Sequence, residues 1–106
     1  MQELPYKLKQ KYCLGTYSEG VRVTYVRVLD RDDYSIFINK NLKDVTQVLL
    51  NGVETKEVLT SKFGTMLYFD TKVPISKNEK RIQIRYIQPG SFLDNSFYLD
   101  FESNFY

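Results

Sequence analysis

Residues 45–59 read VTQVLLNGVETKEVL, and the Asn51-Gly52 pair near the centre is the strongest local signal in the chain. Asn-Gly between two runs that favour strands is typical of a two-residue type I′ hairpin turn, because both central residues of that turn need a positive φ. We therefore predict a strand over 45–50, a tight turn, and a second, antiparallel strand over 53–59.

Runs in which apolar and polar residues alternate recur about every ten residues along the rest of the chain. The parity of the apolar residues changes near Tyr25, which indicates a bulge there or a strand that is apolar on both faces. Over 42–50 the apolar spacing leaves a short helix as the alternative to a strand. The further predicted strands are 6–14, 21–29, 34–39, 66–70, 81–87 and 96–102, with an extended piece at 73–75 and turns over 15–20 and 61–65.

The composition favours strands over helices. The chain has no alanine, the best helix former, and it has nine tyrosines and seven phenylalanines beside many valines and isoleucines. Seven or eight short strands predict an all-β fold, a two-sheet antiparallel β-sandwich of immunoglobulin-like or related Greek-key topology. A small β-barrel is the alternative. The length of 106 residues fits a single sandwich domain over 1–106.

Charge, cysteine count and hydropathy indicate the compartment in which such a protein is expected. The net charge is only +2, and the one cysteine, Cys13, leaves no internal disulfide; we interpret it as a small buried residue of the first strand. No apolar run approaches the ~20 residues of a membrane span, and the N-terminal residues lack the apolar region of a signal peptide. We expect a soluble protein without membrane contact, cytoplasmic or virion-associated rather than secreted with disulfides.

The chain contains no histidine, and so it lacks the commonest acid–base group and metal ligand. The acidic cluster Asp30, Asp32 and Asp33 is interpreted as a solvated turn, because aspartate favours turns and the spacing does not match a calcium loop. The sequence has no phosphate-binding loop, no Gly-x-Ser-x-Gly elbow and no cysteine pair. We predict no enzymatic activity, no catalytic residue, no metal and no cofactor.

Basic residues concentrate in the first third of the chain, where Tyr6, Tyr12, Tyr17 and Tyr25 lie between them. If the first two strands are neighbours, these cations share a positive face beside rings on which bases or sugars stack. This arrangement supports a ligand-binding module for glycans or single-stranded nucleic acid as the alternative function, although the nearly balanced charge also fits an ordinary charged outer face. The candidate ligand-binding residues are Lys7, Lys9, Lys11, Arg22 and Arg27.

The last part of the sequence is acidic and aromatic, with no lysine or arginine after Arg85. Aromatic residues at a chain end favour packing onto the domain or docking on a neighbour, so the candidate partner-binding residues are Tyr98, Phe105 and Tyr106. The leading hypothesis is a non-enzymatic interaction module with protein partners or self-association. The residue mix is typical of AT-rich genomes of low-GC bacteria and their phages, which favours a small structural or accessory subunit of a larger assembly, for example of a phage tail, baseplate or head.

Overall fold

The computed structural model describes residues 7–42, 45, 47–76, 79–87 and 95–102. In these residues the chain forms nine β-strands and a tight turn at Ser18–Gly20, in which Glu19 and Gly20 have positive φ angles. The helix considered for 42–50 does not form, because 47–50 is a strand. The strands are β1 (Leu8–Tyr17), β2 (Val21–Val28), β3 (Tyr34–Ile38), β4 (Gln47–Leu50), β5 (Val53–Glu54), β6 (Glu57–Ser61), β7 (Gly64–Phe69), β8 (Arg81–Ile87) and β9 (Asn95–Asp100).

The strands form two antiparallel sheets, of order β1-β2-β3-β7-β6 and β5-β4-β8-β9. The order β2-β3-β7-β6 opposite β4-β8-β9 is the A-B-E-D and C-F-G order of an immunoglobulin sandwich, and β1 and β5 add one outer strand to each sheet. The predicted all-β sandwich is therefore confirmed. The barrel alternative is wrong, because each sheet ends in edge strands.

The main core lies between the two sheets. Two residues of the predicted extended piece, Val73 and Ile75, lie in an irregular segment after β7 and fill the same core, while Pro74 between them is exposed. Burial of a valine or isoleucine side chain contributes ~1.5–3 kcal/mol to folding. The sheets supply the central residues Val23, Ile36, Ile38, Leu67 and Phe69 from one side and Val48, Leu50, Ile82, Ile84 and Leu99 from the other.

The predicted turn joins β4 to β5. Asn51 and Gly52 have φ angles of 49° and 83°, and Leu50 pairs with Val53. Both central residues thus have the positive φ of a type I′ turn, and the prediction is confirmed.

The single return strand predicted over 53–59 is wrong. The structure divides it into two strands of different sheets, because the chain crosses from one sheet to the other at Thr55 and Lys56. The backbone N–H of Thr55 donates to the Val48 carbonyl at 3.0 Å, and its hydroxyl accepts from the Val48 N–H at 3.3 Å. The next N–H, of Lys56, already donates to the Tyr68 carbonyl of the opposite sheet at 2.7 Å. This division gives the ninth strand.

β1 is longer than predicted and contains a bulge. Its pairing with β2 skips Leu14, and the alternation of side chains is reset at that point. Tyr12 and Tyr17, five positions apart, therefore both face the opposite sheet. The turn predicted to begin at residue 15 begins only at Ser18.

Cys13 is exposed, and the prediction that it is buried is wrong. It pairs with Thr24 on the outer face of the five-stranded sheet, the face turned away from the four-stranded sheet, and it lies on an edge strand. Its neighbour Leu14 faces the core instead and is 4% exposed.

β2 is apolar on both faces, the second of the two interpretations of the parity change near Tyr25. Its pairing with β3 runs without a shift, so no bulge lies at that position. Val23 belongs to the main core, whereas Val26 and Val28 belong to a smaller cluster on the outer face. Phe37, Met66 and Tyr68 complete that outer cluster.

The C-terminal end of β1 is fixed by Tyr17, whose side chain is fully buried. Its hydroxyl donates to the Glu79 carbonyl at 3.2 Å, and its ring meets Phe101 edge to face, with 5.8 Å between centroids. Burial is the main cause that raises the pKa of the Tyr17 phenol. Close by, the Glu102 N–H donates to the Thr16 carbonyl at 3.0 Å, so the two sheets are joined at this corner.

Gly64→Ala should destabilise the protein far more than Gly52→Ala. Both glycines have a positive φ, but a Cβ at Gly64 would lie 2.2 Å from the Ile38 carbonyl oxygen, whereas one at Gly52 would meet nothing within 4 Å. We expect a loss of about 3 kcal/mol or more for Gly64→Ala and of about 1 kcal/mol for Gly52→Ala, measured by urea unfolding. Equal losses would contradict the close backbone approach at the start of β7.

Candidate functional site

The inner face of the five-stranded sheet, which faces the other sheet, carries a pair of neighbouring tyrosines, Tyr12 and Tyr25, at the edge of the core. Tyr12 on β1 pairs directly with Tyr25 on β2, so the two side chains stand on the same face. Tyr25 is half-buried and packs against the core, while Tyr12 is 42% exposed. Their rings form the first row of a platform of side chains at the edge of the core.

A second row lies one step further along the same face. Gln10 pairs with Arg27, and continuation of the β2–β3 register places Arg27 opposite Tyr34. The guanidinium carbon of Arg27 lies 5.0 Å from the Tyr34 ring centroid, and its Nη1 donates to the Asp33 carbonyl at 3.3 Å. Since rows on one face are separated by about 7 Å, this cation lies within reach of anything that rests on the first row.

The segment after β7 forms the third side of the site. The N–H of Ile75 donates to the Tyr25 hydroxyl at 3.2 Å, which holds the segment against the sheet. The exposed Lys72 places its ammonium 5.7 Å from the Tyr25 ring centroid. A tyrosine that is anchored through its hydroxyl in this way is a rigid surface for stacking.

Together these residues line a groove, which we call the tyrosine groove: Gln10, Tyr12, Tyr25, Arg27, Tyr34 and Lys72. Its volume is about 330 Å³, at the lower end of the range of ligand pockets, and it continues past Tyr12 along 72–76 into an open depression of about 600 Å³. Taken together, the described residues that line the groove and the depression include two cations, Arg27 and Lys72, and no carboxylate. The groove therefore offers flat rings in a positive setting.

The acidic turn after β2 forms ion pairs and does not supply a carboxylate to the lining of the tyrosine groove. Asp33 bonds to Arg31, with 2.8 Å between Oδ2 and Nε, and its Oδ1 lies 3.2 Å from the Lys56 ammonium. Arg31 also bonds to Glu57 at 2.9 Å, and its guanidinium carbon lies 3.7 Å from the Tyr68 ring centroid. Hydrogen bonds from Arg31 first, and then from Lys56, lower the pKa of Asp33. These ion pairs join the turn to β6 beside the outer cluster.

The predicted ligand-binding cations do not form one surface. Lys11 and Arg22 lie on the outer face of the sheet, opposite Val26 and Thr16 respectively, whereas Arg27 lies on the inner face. β1 and β2 are neighbours, as the predicted positive face requires, but Arg27 does not lie on the face that Lys11 and Arg22 share. Lys7 and Lys9 are exposed at the start of β1, and a second pairing shift lies at Lys9.

Of the predicted partner-binding residues, Phe105 and Tyr106 lie outside the described residues. Tyr98 is 52% exposed on the outer face of the four-stranded sheet, away from the tyrosine groove. Its hydroxyl accepts from Gln83 at 3.2 Å, and the guanidinium carbon of Arg81 lies 5.2 Å from its ring centroid. Tyr98 and the tyrosine groove are therefore separate candidate surfaces.

Gln10, Tyr34 and Lys72 were missed as site residues. They come from three separate parts of the sequence and meet only through strand register and the packing of the segment after β7. The alternation of β1 and β2 was a usable signal, because it places Tyr12, Tyr25 and Arg27 on one face once the two strands are paired. The position of Lys72 has no comparable signal in the sequence.

Comparison with family models, with curated proteins and with solved structures finds no match. Among the described residues, no helix has the length and apolar character of a membrane span. In the same part of the chain, no three cysteine or acidic side chains stand close enough together to hold a metal ion.

Asp33→Asn should flatten the acid dependence of stability. Because the pKa of Asp33 is lowered from its usual 3.8, the ion pairs stabilise the folded state above that value and are lost as the pH falls through the folded pKa. We expect the melting temperature of the wild type to fall more steeply below about pH 4 than that of the variant.

Asp32→Asn is the matched control, since Asp32 is an exposed neighbour that takes part in no ion pair within the described residues. Its profile should follow that of the wild type. Identical profiles for wild type and Asp33→Asn would show that the cluster does not contribute to stability.

Proposed function

We propose that the protein is a non-enzymatic interaction module, a small structural or accessory subunit of a larger assembly such as a phage tail, baseplate or head. The observation that carries this proposal is the tyrosine groove, where Tyr12, Tyr34 and Arg27 come together on a sheet face. Tyrosine and arginine are enriched among the residues that dominate binding energy at protein interfaces.

The rigidity of the groove supports recognition. Tyr12, Tyr25 and Arg27 stand on adjacent paired strands, and Tyr25 is also bonded to the segment after β7. A surface that is held in one conformation loses little entropy when a partner binds, so more of the contact energy is available for affinity.

The acidic turn supports the non-enzymatic part of the proposal. A general acid or nucleophile must be available to a substrate, but the Asp33 carboxylate is held by Arg31 and Lys56. The lowered pKa of Asp33 also keeps this carboxylate ionised, which suits an ion pair better than proton donation near pH 7.

Substitution in the groove tests the proposal. Tyr12→Ala combined with Tyr34→Ala should abolish self-association or weaken partner capture by about 30-fold, the effect of losing one or more dominant contacts. Sedimentation velocity of the pure protein, alone and mixed with candidate partners, measures the first, and quantitative capture from extracts of the source cells measures the second.

Two further variants separate the surfaces. Thr60→Ala, at an exposed position on edge strand β6, should leave association unchanged. Tyr98→Ala tests the other candidate surface, and a loss confined to this variant would move the interface to the four-stranded sheet. A protein that stays monomeric and captures no partner in any form would refute the proposal.

A further inference from the structure

We infer that the tyrosine groove binds single-stranded nucleic acid, with bases stacked on its rings and phosphates held by Arg27 and Lys72. This inference rests on the proposed function, because it takes the groove as the recognition surface and names its ligand. The arrangement that carries it is the alternation of rings and cations across three strands and the segment after β7.

The rings select for a planar ligand. Tyr12 and Tyr34 are 42% and 39% exposed, so both rings are open to a ligand. Tyr25 lies on the strand between theirs, pairs with Tyr12 and also lines the groove. Single-stranded bases stack on such rings with little sequence preference, because every base has a π-face.

The charges select for an anion. Arg27 and Lys72 flank the rings at 5.0 and 5.7 Å from the centroids of Tyr34 and Tyr25. The described residues that line the groove include no carboxylate, and the Asp33 carboxylate is bonded to Arg31 and Lys56 instead. A cationic ligand would be repelled, and a neutral glycan would gain no charge attraction from the two cations.

Arg27 can contact a phosphate without losing its present bond. A guanidinium has five N–H donors, and the bond to the Asp33 carbonyl uses one of them. The fork of the guanidinium matches the geometry of a phosphate, and Lys72 adds a second charge beside the Tyr25 ring. The open depression along 72–76 gives the nucleic-acid strand a path beyond the rings.

Fluorescence anisotropy with labelled oligo(dT) and oligo(U) of eight nucleotides tests the inference. Two phosphate contacts on a single strand predict a slope of about −1.4 for log K against log salt. The affinity should therefore fall about sevenfold between 50 and 200 mM KCl. A DNA duplex of the same length should bind more weakly, because its bases are not free to stack on tyrosine.

Groove variants should lower the affinity in distinct ways. Lys72→Gln, at an exposed position, and Arg27→Gln should each reduce the salt slope by about 0.7. Tyr12→Ala should weaken binding at least about fivefold while leaving the slope unchanged. Arg22→Gln on the outer face and Tyr98→Ala on the other sheet are the matched controls, and neither should change affinity by more than about twofold.

Absence of binding at 50 mM KCl with 100 µM protein would overturn the inference. So would binding that Arg22→Gln weakens as much as Lys72→Gln, since that result means diffuse attraction to surface charge. Salt-independent binding on a glycan array, lost in Tyr12→Ala, would assign the groove to sugars instead. If oligonucleotides fail to bind but the Tyr12 and Tyr34 substitutions abolish partner capture, the inference fails while the proposed function stands. If both fail, the groove is not a recognition surface.

Discussion

The bulge at Leu14 is the local feature on which both the core and the groove depend. If side chains alternated along β1 without interruption, Thr16 would lie on the same face as Tyr12, and Tyr17 would lie on the outer face. The extra residue resets the phase after Leu14, so Tyr17 joins Leu14 in the core while Tyr12 keeps its place beyond it. One irregular residue on an edge strand thus determines which aromatic rings are structural and which remain accessible.

The five-stranded sheet is unusual for a small sandwich because it is apolar on its outer face as well. Val26, Phe37, Met66 and Tyr68 are buried there, although none of the described strands forms a second sheet against them. Arg31 lies over Tyr68 and is held by acidic partners from two elements, so a charged group covers part of an apolar cluster. The stem and planar head of an arginine suit this role, because they cover apolar surface while the charge stays paired.

Local chemistry predicted much of the fold. The 81–87 alternation gave the bounds of β8, and the backbone need for positive φ predicted the turn at Asn51-Gly52. Two of the predictions that failed depend on distant contacts. The crossing at Thr55 needs Val48 and Tyr68 as partners, and the bulge at Leu14 needs the register of β2. The groove was predictable only in part for the same reason: Arg27 and the tyrosines on β1 and β2 could be selected by type, but Gln10, Tyr34 and Lys72 join them only through pairing and packing.

The exposed position of Cys13 makes the molecule convenient for spectroscopy. It carries the one thiol of the chain, next to Tyr12 in sequence but on the opposite side of the sheet. A maleimide dye or spin label attached there would sit one residue from the groove without entering it. Occupancy of the groove would then be reported by a probe with a known, single point of attachment, with no engineered cysteine required.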